Sequence, residues 1–165
     1  MQPVYCWAWS DNLSGSCLIG KVNVSDRPKL DGILETAVYV DDMDAAHGFY
    51  EGVLGLKRMV AGDRLFAYDA GPAQTLLVFY RGHTGEDVQT PGGIVPGHDT
   101  SGHGHFAFRI SNDQLDPWRD YLSSKGVDII SEVVWPAGGT SLYFKDPDGN
   151  ILELASAPLW PNFLA

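Results

Sequence analysis

Three acid or imidazole side chains stand in runs where a charged group is out of place. Glu35 sits inside Ile33-Leu34-Glu35-Thr36-Ala37-Val38-Tyr39-Val40. His105 opens His105-Phe106-Ala107-Phe108-Arg109-Ile110. Glu153 is enclosed by Ile151-Leu152 and Leu154-Ala155. An unpaired carboxylate buried among such neighbours is costly, and a cation removes the cost. One imidazole and two carboxylates form a workable ligand set for a divalent ion, with positions left for water or substrate. Each residue also has an ordinary reading. Glu35 serves equally as a solvated strand residue, His105 as a hydrogen-bonded cleft histidine, and Glu153 as a salt-bridge partner of Lys145 or Arg109.

The elements that must position these residues are strands. Alternation puts Leu34, Thr36, Val38 and Val40 on one face of the first run, and Glu35, Ala37 and Tyr39 on the other. In the second run Phe106, Phe108 and Ile110 oppose His103, His105, Ala107 and Arg109. Glu35 and His105 are thereby equivalent. After the first run, Asp41 and Asp42 supply helix N-cap chemistry, and Met43, Ala46, Phe49, Tyr50, Val53 and Leu54 follow at helical spacing to Gly55. Strands are expected over 56–60, 65–69 and 75–80. After the second run, Ser111-Asn112-Asp113 read as a cap. Leu115, Trp118, Tyr121 and Leu122 mark a helix that tolerates Pro117 only in its first turn and stops at Gly126. Strands are expected over 127–134, 140–144 and 151–155. Asp146-Pro147-Asp148-Gly149-Asn150 reads as a tight turn and lacks the full ligand pattern of a calcium loop.

The two halves coincide at a shift of about 70 residues. Each reads β-α-β-β-β, which predicts an α+β fold: two βαβββ modules forming a metal-binding cleft. The expected division is an extension over 1–30 and one domain over 31–157, followed by a tail over 158–165. The domain comprises modules 31–82 and 103–157 joined by loop 83–102. The stretch 81–102 is rich in Gly, Pro, His and Asp, the composition of a lid or binding loop.

A net charge of −10 over 165 residues repels phosphate backbones and anionic lipid, which argues against nucleic acid and membrane partners. Cys6 and Cys17 both lie in the extension, so no disulfide framework is expected and a reducing, cytoplasmic setting is the simpler reading. No apolar run reaches the length of a membrane span, and the start does not read as a signal peptide.

Three segments carry a resemblance: Ala45-Ala46-His47-Gly48-Phe49-Tyr50 to Val53-Leu54-Gly55-Leu56, Gly104-His105-Phe106-Ala107-Phe108, and Leu142-Tyr143-Phe144-Lys145-Asp146-Pro147-Asp148-Gly149-Asn150-Ile151-Leu152-Glu153-Leu154. Over residues 31–157 the chain resembles the vicinal oxygen chelate superfamily, which includes glyoxalase I, fosfomycin-resistance proteins, bleomycin-binding proteins and extradiol dioxygenases. The resemblance implies one divalent metal ion (Mn, Fe, Ni, Co or Zn), held on the first and last strands of each module. The matching positions are Glu35, one within Leu76–Val78, His105 and Glu153. Apolar side chains at the second position imply a three-ligand site rather than the four-ligand site of glyoxalase I. The implied function is a metal-dependent lyase or isomerase, or a ring-cleaving dioxygenase, acting on a small oxygenated substrate. The alternative is metal-free sequestration of the bleomycin-resistance type. Thiol-dependent transfer to fosfomycin is disfavoured, because the tail after Glu153 carries no basic residue over 156–161. His98, His103 and Tyr143 are the candidate catalytic groups, and Arg64, Arg109 and Trp135 the candidate substrate contacts. A homodimer is implied by resemblance alone.

Overall fold

A computed structural model of the chain describes residues 28–160 and residue 162. Most of the expected extension, with Cys6 and Cys17, lies outside the described residues.

The first module runs β1 (Glu35–Val40), α1 (Met43–Tyr50), β2 (Lys57–Ala61), β3 (Leu65–Gly71) and β4 (Gln74–Tyr80). A short hairpin follows, β5 (Val88–Thr90) and β6 (Gly93–Val95). The second module runs β7 (His105–Ile110), a single 3-10 turn (Asn112–Gln114), α2 (Leu115–Ser124), β8 (Ser131–Val134), β9 (Thr140–Lys145) and β10 (Ile151–Ser156). The sheets are ordered β1-β4-β3-β2 and β7-β10-β9-β8. In each, the first and last strands pair in parallel and the rest are antiparallel.

Alternation decides which side chains enter the core. Val38 and Val40 of β1, Leu76 and Val78 of β4, Leu142 and Phe144 of β9, and Leu152 and Leu154 of β10 all face inward. They join Ala46, Phe49 and Tyr50 of α1 and Leu122 of α2 in one apolar cluster drawn from both modules. Fully burying an aliphatic side chain of this size stabilises by about 1.5–3 kcal/mol. The opposite sheet faces carry Glu35, Ala37, His105, Ala107 and Arg109, all exposed.

Several local expectations need correction. Ile33 and Leu34 lie outside β1, 82% and 68% exposed, because pairing with β4 starts at Glu35–Thr75. Helix α1 ends at Tyr50, and Val53 and Leu54 belong to the following turn. Asp42 caps α1 by accepting from Ala45 N at 2.9 Å, whereas Ser111 makes no side-chain cap and a 3-10 turn leads into α2. Residues 127–130 are not strand; only 131–134 pair with β9. The stretch expected as a lid or binding loop contains the β5–β6 hairpin.

That stretch is also closed at its base. Arg81 donates to Asp41 Oδ1, to the carbonyls of Thr100 and Gly102, and to Tyr39 O. Gly82 N donates to Asp99 Oδ2, and His98 N to Thr84 O.

The turn before β10 fastens one module to the other. Asp146, buried, accepts from Tyr50 Oη at 2.8 Å, from Asn150 N and Nδ2 at 2.8 Å each, and from Asp148 N at 3.1 Å. Asn150 Nδ2 also reaches Tyr39 O, and its Oδ1 accepts from Gly104 N at 2.7 Å. Asp148 Oδ1 accepts from Asp41 N at 2.7 Å. Gly149 turns the chain at φ +85°, a region open to glycine.

Candidate metal-binding site

β10 lies between β7 and β9, and this order assembles the site. Glu153 pairs with Ala107 on one side and Tyr143 on the other, so Tyr143 and Glu153 project from the same face. His105 lies one step back on β7, opposite Ile151. Its Nδ1 is 3.1 Å from Ile151 O. A carbonyl only accepts, so Nδ1 carries the proton and Nε2 is turned outward. Nε2 stands 3.4 Å from Glu153 Oε2, with the carboxylate 6% and the imidazole 52% exposed.

That separation exceeds a normal hydrogen bond. Two donors bound to one ion at about 2.1 Å, 90–110° apart, lie about 3.0–3.4 Å from each other. A neutral imidazole nitrogen and a carboxylate oxygen both offer lone pairs, so the pair requires a proton on Nε2 or a cation between them. The residues present therefore fit two positions of a divalent-ion site. Among the described residues, no group of three His, Cys, Asp or Glu side chains is placed to hold one ion.

Glu35 lies on the other sheet, opposite Thr75, with its side exposed. The register explains the missing fourth donor. Ala37 pairs with Leu77 as Ala107 pairs with Glu153. Leu77 is thus the counterpart of Glu153, and the position expected within Leu76–Val78 is occupied by an aliphatic side chain.

The remaining candidates are dispersed. Tyr143 is half-buried, its ring 6.1 Å from that of His105. Burial, followed by the charge of Glu153, pushes its phenol up from the usual value. His98 binds Tyr39 Oη through Nδ1 at 2.5 Å and meets Phe79 edge-on at 4.8 Å, on the cleft face of the first module. His103 lies against Gly149, where a Cβ would stand 2.9 Å from its Nε2. Arg64 is half-buried, and its carbonyl accepts from Tyr80 N. Arg109 lines a hollow of about 390 Å³ with Ile110, Ser111, Asn112 and Ala157. A second hollow, about 550 Å³, lies by Leu34, Met59 and Pro72. Neither hollow includes His105, which is exposed, or Glu153, which is buried beside it.

Trp135 is half-buried and its indole N–H is already engaged. Its Nε1 donates to Ser141 Oγ at 2.8 Å, and Ser141 Oγ donates to Glu153 Oε1. Ser141 is absent from the candidates, although the alternation that places Tyr143 on the cleft face also places Ser141 there.

A family model described as Glyoxalase/Bleomycin resistance protein/Dioxygenase superfamily matches residues 32–154. The metallothiol transferase FosB of Shouchella clausii (strain KSM-K16) is 26% identical over 132 residues, 79% of this chain and 83% of its own. The crystal structure of lactoylglutathione lyase from Agrobacterium tumefaciens aligns with a TM-score of 0.74 at 31% identity, covering 81% of this chain and 99% of that one. The fosfomycin resistance protein FosX from Mesorhizobium loti shares the fold, with a TM-score of 0.55 at 22% identity over 83% of this chain and 100% of its own. Among the described residues, no helix is long and apolar enough to cross a membrane.

Proposed function

The chain belongs to the Glyoxalase/Bleomycin resistance protein/Dioxygenase superfamily, and on that footing we propose that it is a divalent-metal-dependent enzyme acting on a small oxygenated substrate. The observation that carries this reading is the His105–Glu153 pair. The imidazole tautomer is fixed by Ile151 O, and the two lone-pair atoms stand at a chelating separation of 3.4 Å. Glu35 is the proposed third ligand. It lies on the open face of the other sheet, away from this pair, so its carboxylate comes from a second copy of the chain and the enzyme works as a homodimer.

When bound, the ion supplies Lewis acidity toward two neighbouring oxygens of the substrate. The chain's own residues do the rest. Glu153 and His105 present Oε2 and Nε2 on a rigid sheet. Tyr143 keeps its proton at neutral pH as any phenol does, and burial and the charge of Glu153 raise it further, so it stands as a hydrogen-bond donor beside the site. Leu77 and Phe79 give the first module an apolar wall, which suits a substrate with an apolar portion. A lyase, isomerase or transferase is favoured over ring cleavage. The relatives' names are those of a metallothiol transferase and a lyase, and one histidine with two carboxylates departs from the two-histidine, one-carboxylate set of iron oxygenases.

The test is metal content. Untagged protein is incubated separately with Mn, Fe, Co, Ni and Zn, dialysed, and assayed by elemental analysis beside Glu153→Ala, with mass measured by light scattering. One ion per chain, lost in the variant, on a dimer is the expected result. Protein that retains no stoichiometric ion would sink the enzyme reading and leave metal-free sequestration.

A further inference from the structure

We propose that Ser141 and Trp135 are positioning residues for Glu153: a one-way hydrogen-bond relay that fixes which carboxylate oxygen faces His105. The proposal rests on the metal-site reading above and deepens it.

The direction of the relay follows from donor chemistry alone. An indole N–H only donates. Trp135 Nε1 lies 2.8 Å from Ser141 Oγ, so the hydroxyl accepts there. Its single proton then goes to Glu153 Oε1, and the phenol of Tyr143 stands in hydrogen-bond contact with both groups. Ser141 is fully buried and Glu153 nearly so, so no solvent competes for these groups. With Oε1 held by the hydroxyl, Oε2 is the oxygen left toward His105. A carboxylate oriented at one oxygen cannot rotate about its terminal bond without breaking a buried hydrogen bond, which is costly.

The far end of the relay is also anchored. Trp135 N donates to Gly139 O and Gly138 N to Trp135 O, both at 2.8 Å, in the turn between β8 and β9. Gly139 N donates to Pro158 O beyond the end of β10. The indole is therefore fixed by backbone on both sides of the turn, and its position is transmitted through one hydroxyl to the carboxylate. Trp135 thus acts on the site through Ser141, on the face that Tyr143 and Glu153 share.

Two measurements test this on the full chain. The first is Mn²⁺ and Co²⁺ affinity by titration calorimetry for the wild type, Ser141→Ala, Ser141→Thr and Trp135→Phe. Loss of a group that orients a ligand typically weakens metal binding 10–100-fold. Ser141→Ala is expected in that range, with most of the affinity recovered in Ser141→Thr and a smaller loss in Trp135→Phe. A Ser141→Ala protein that melts cooperatively and binds as tightly as the wild type overturns the relay.

The second needs no metal. The indole ¹H–¹⁵N resonance of Trp135, assigned by its loss in Trp135→Phe, is followed in metal-free protein. It is expected to shift in both Ser141→Ala and Glu153→Gln, since each changes the acceptor chain beyond the indole. No shift in either variant overturns the relay. If the wild type binds neither ion, the enzyme reading fails by itself, while the indole shifts still decide the relay.

Discussion

Tyr50→Phe removes one oxygen atom and nothing else of size, so its effect isolates the hydrogen bond between α1 and the turn before β10. The donor is Tyr50 Oη and the acceptor is Asp146 Oδ2, 2.8 Å apart and buried. After the substitution, Oδ2 keeps only Asn150 Nδ2, while Oδ1 keeps the two turn amides. A hydrogen bond to a charged group contributes about 1.5–3 kcal/mol. For a chain of this length that lowers the melting temperature by roughly 3–12 °C. The pH dependence sharpens the expectation. Burial first, then the charge of Asp146, pushes the Tyr50 phenol far above its ordinary value. The folded wild type therefore retains that proton after the unfolded chain begins to release it, near pH 10. Where the folded state binds more protons, stability falls as pH rises, here by about 1.4 kcal/mol per unit. Phenylalanine has no such slope. The deficit of Tyr50→Phe is expected to stay constant from pH 7 to about 9.5 and then to narrow, as read from urea midpoints of both proteins. A variant as stable as the wild type at pH 7, or a deficit that widens above pH 10, would refute the reasoning.

Two further outcomes follow from the same kind of accounting. Asp148 has its carboxyl raised by burial, against a lowering contribution from the Asp41 N–H, and its Oδ2 has no hydrogen-bond partner. Between its unfolded value near 3.9 and its raised folded value the native state binds more protons, so wild-type stability drops as pH rises through that window. Asp148→Asn is expected to remove that part of the slope in urea midpoints taken from pH 4 to 7; an unaltered slope contradicts it. At Gly139, a Cβ would stand 2.5 Å from Ser156 O and 2.6 Å from Pro158 O, both backbone atoms. Gly139→Ala is expected to destabilise by about 1–3 kcal/mol as an overpacked site, and an unchanged melting curve would show that the chain after β10 yields freely.

The sheet faces were legible because hydrophobic alternation is a direct record of which side meets the core. Val38, Val40, Leu152 and Leu154 point inward as their spacing predicts, and that places Glu153 on the opposite face of its sheet. The repeat was legible for the same reason, and the paired registers at Leu77 and Glu153 sharpen it to single residues. Ile33 and Leu34 misled because they are apolar without having a strand to pair with. The β5–β6 hairpin was obscured by its Gln, Thr and Gly content, although Pro91-Gly92 at its tip is a turn signal. Residues 127–130 look like strand because Val127 and Ile129 pack on the core from a segment that lies just ahead of β8. At the site, residue types singled out His105 and Glu153, whereas Ser141 escaped notice because a serine carries no signal until its acceptor is known. The distance between Glu35 and the other two depends on how the sheets are joined, which alternation within a strand does not encode.

Arg81 has a consequence for how this chain can change. Its guanidinium joins the end of the first module to the carbonyls of Thr100 and Gly102, just before the second. The span between enters and leaves through one knot, and Asp99 and Thr84 tighten its neck. Lengthening such a loop costs only a logarithmic entropy increment. The hairpin can therefore be exchanged, extended or trimmed while both sheets keep their registers. A lineage can revise the surface carried by Ile94 and Val95, or by His98 over Phe79, as a cassette, leaving the His105–Glu153 pair untouched. Sequence drift in this family member is expected to concentrate where that knot confines it.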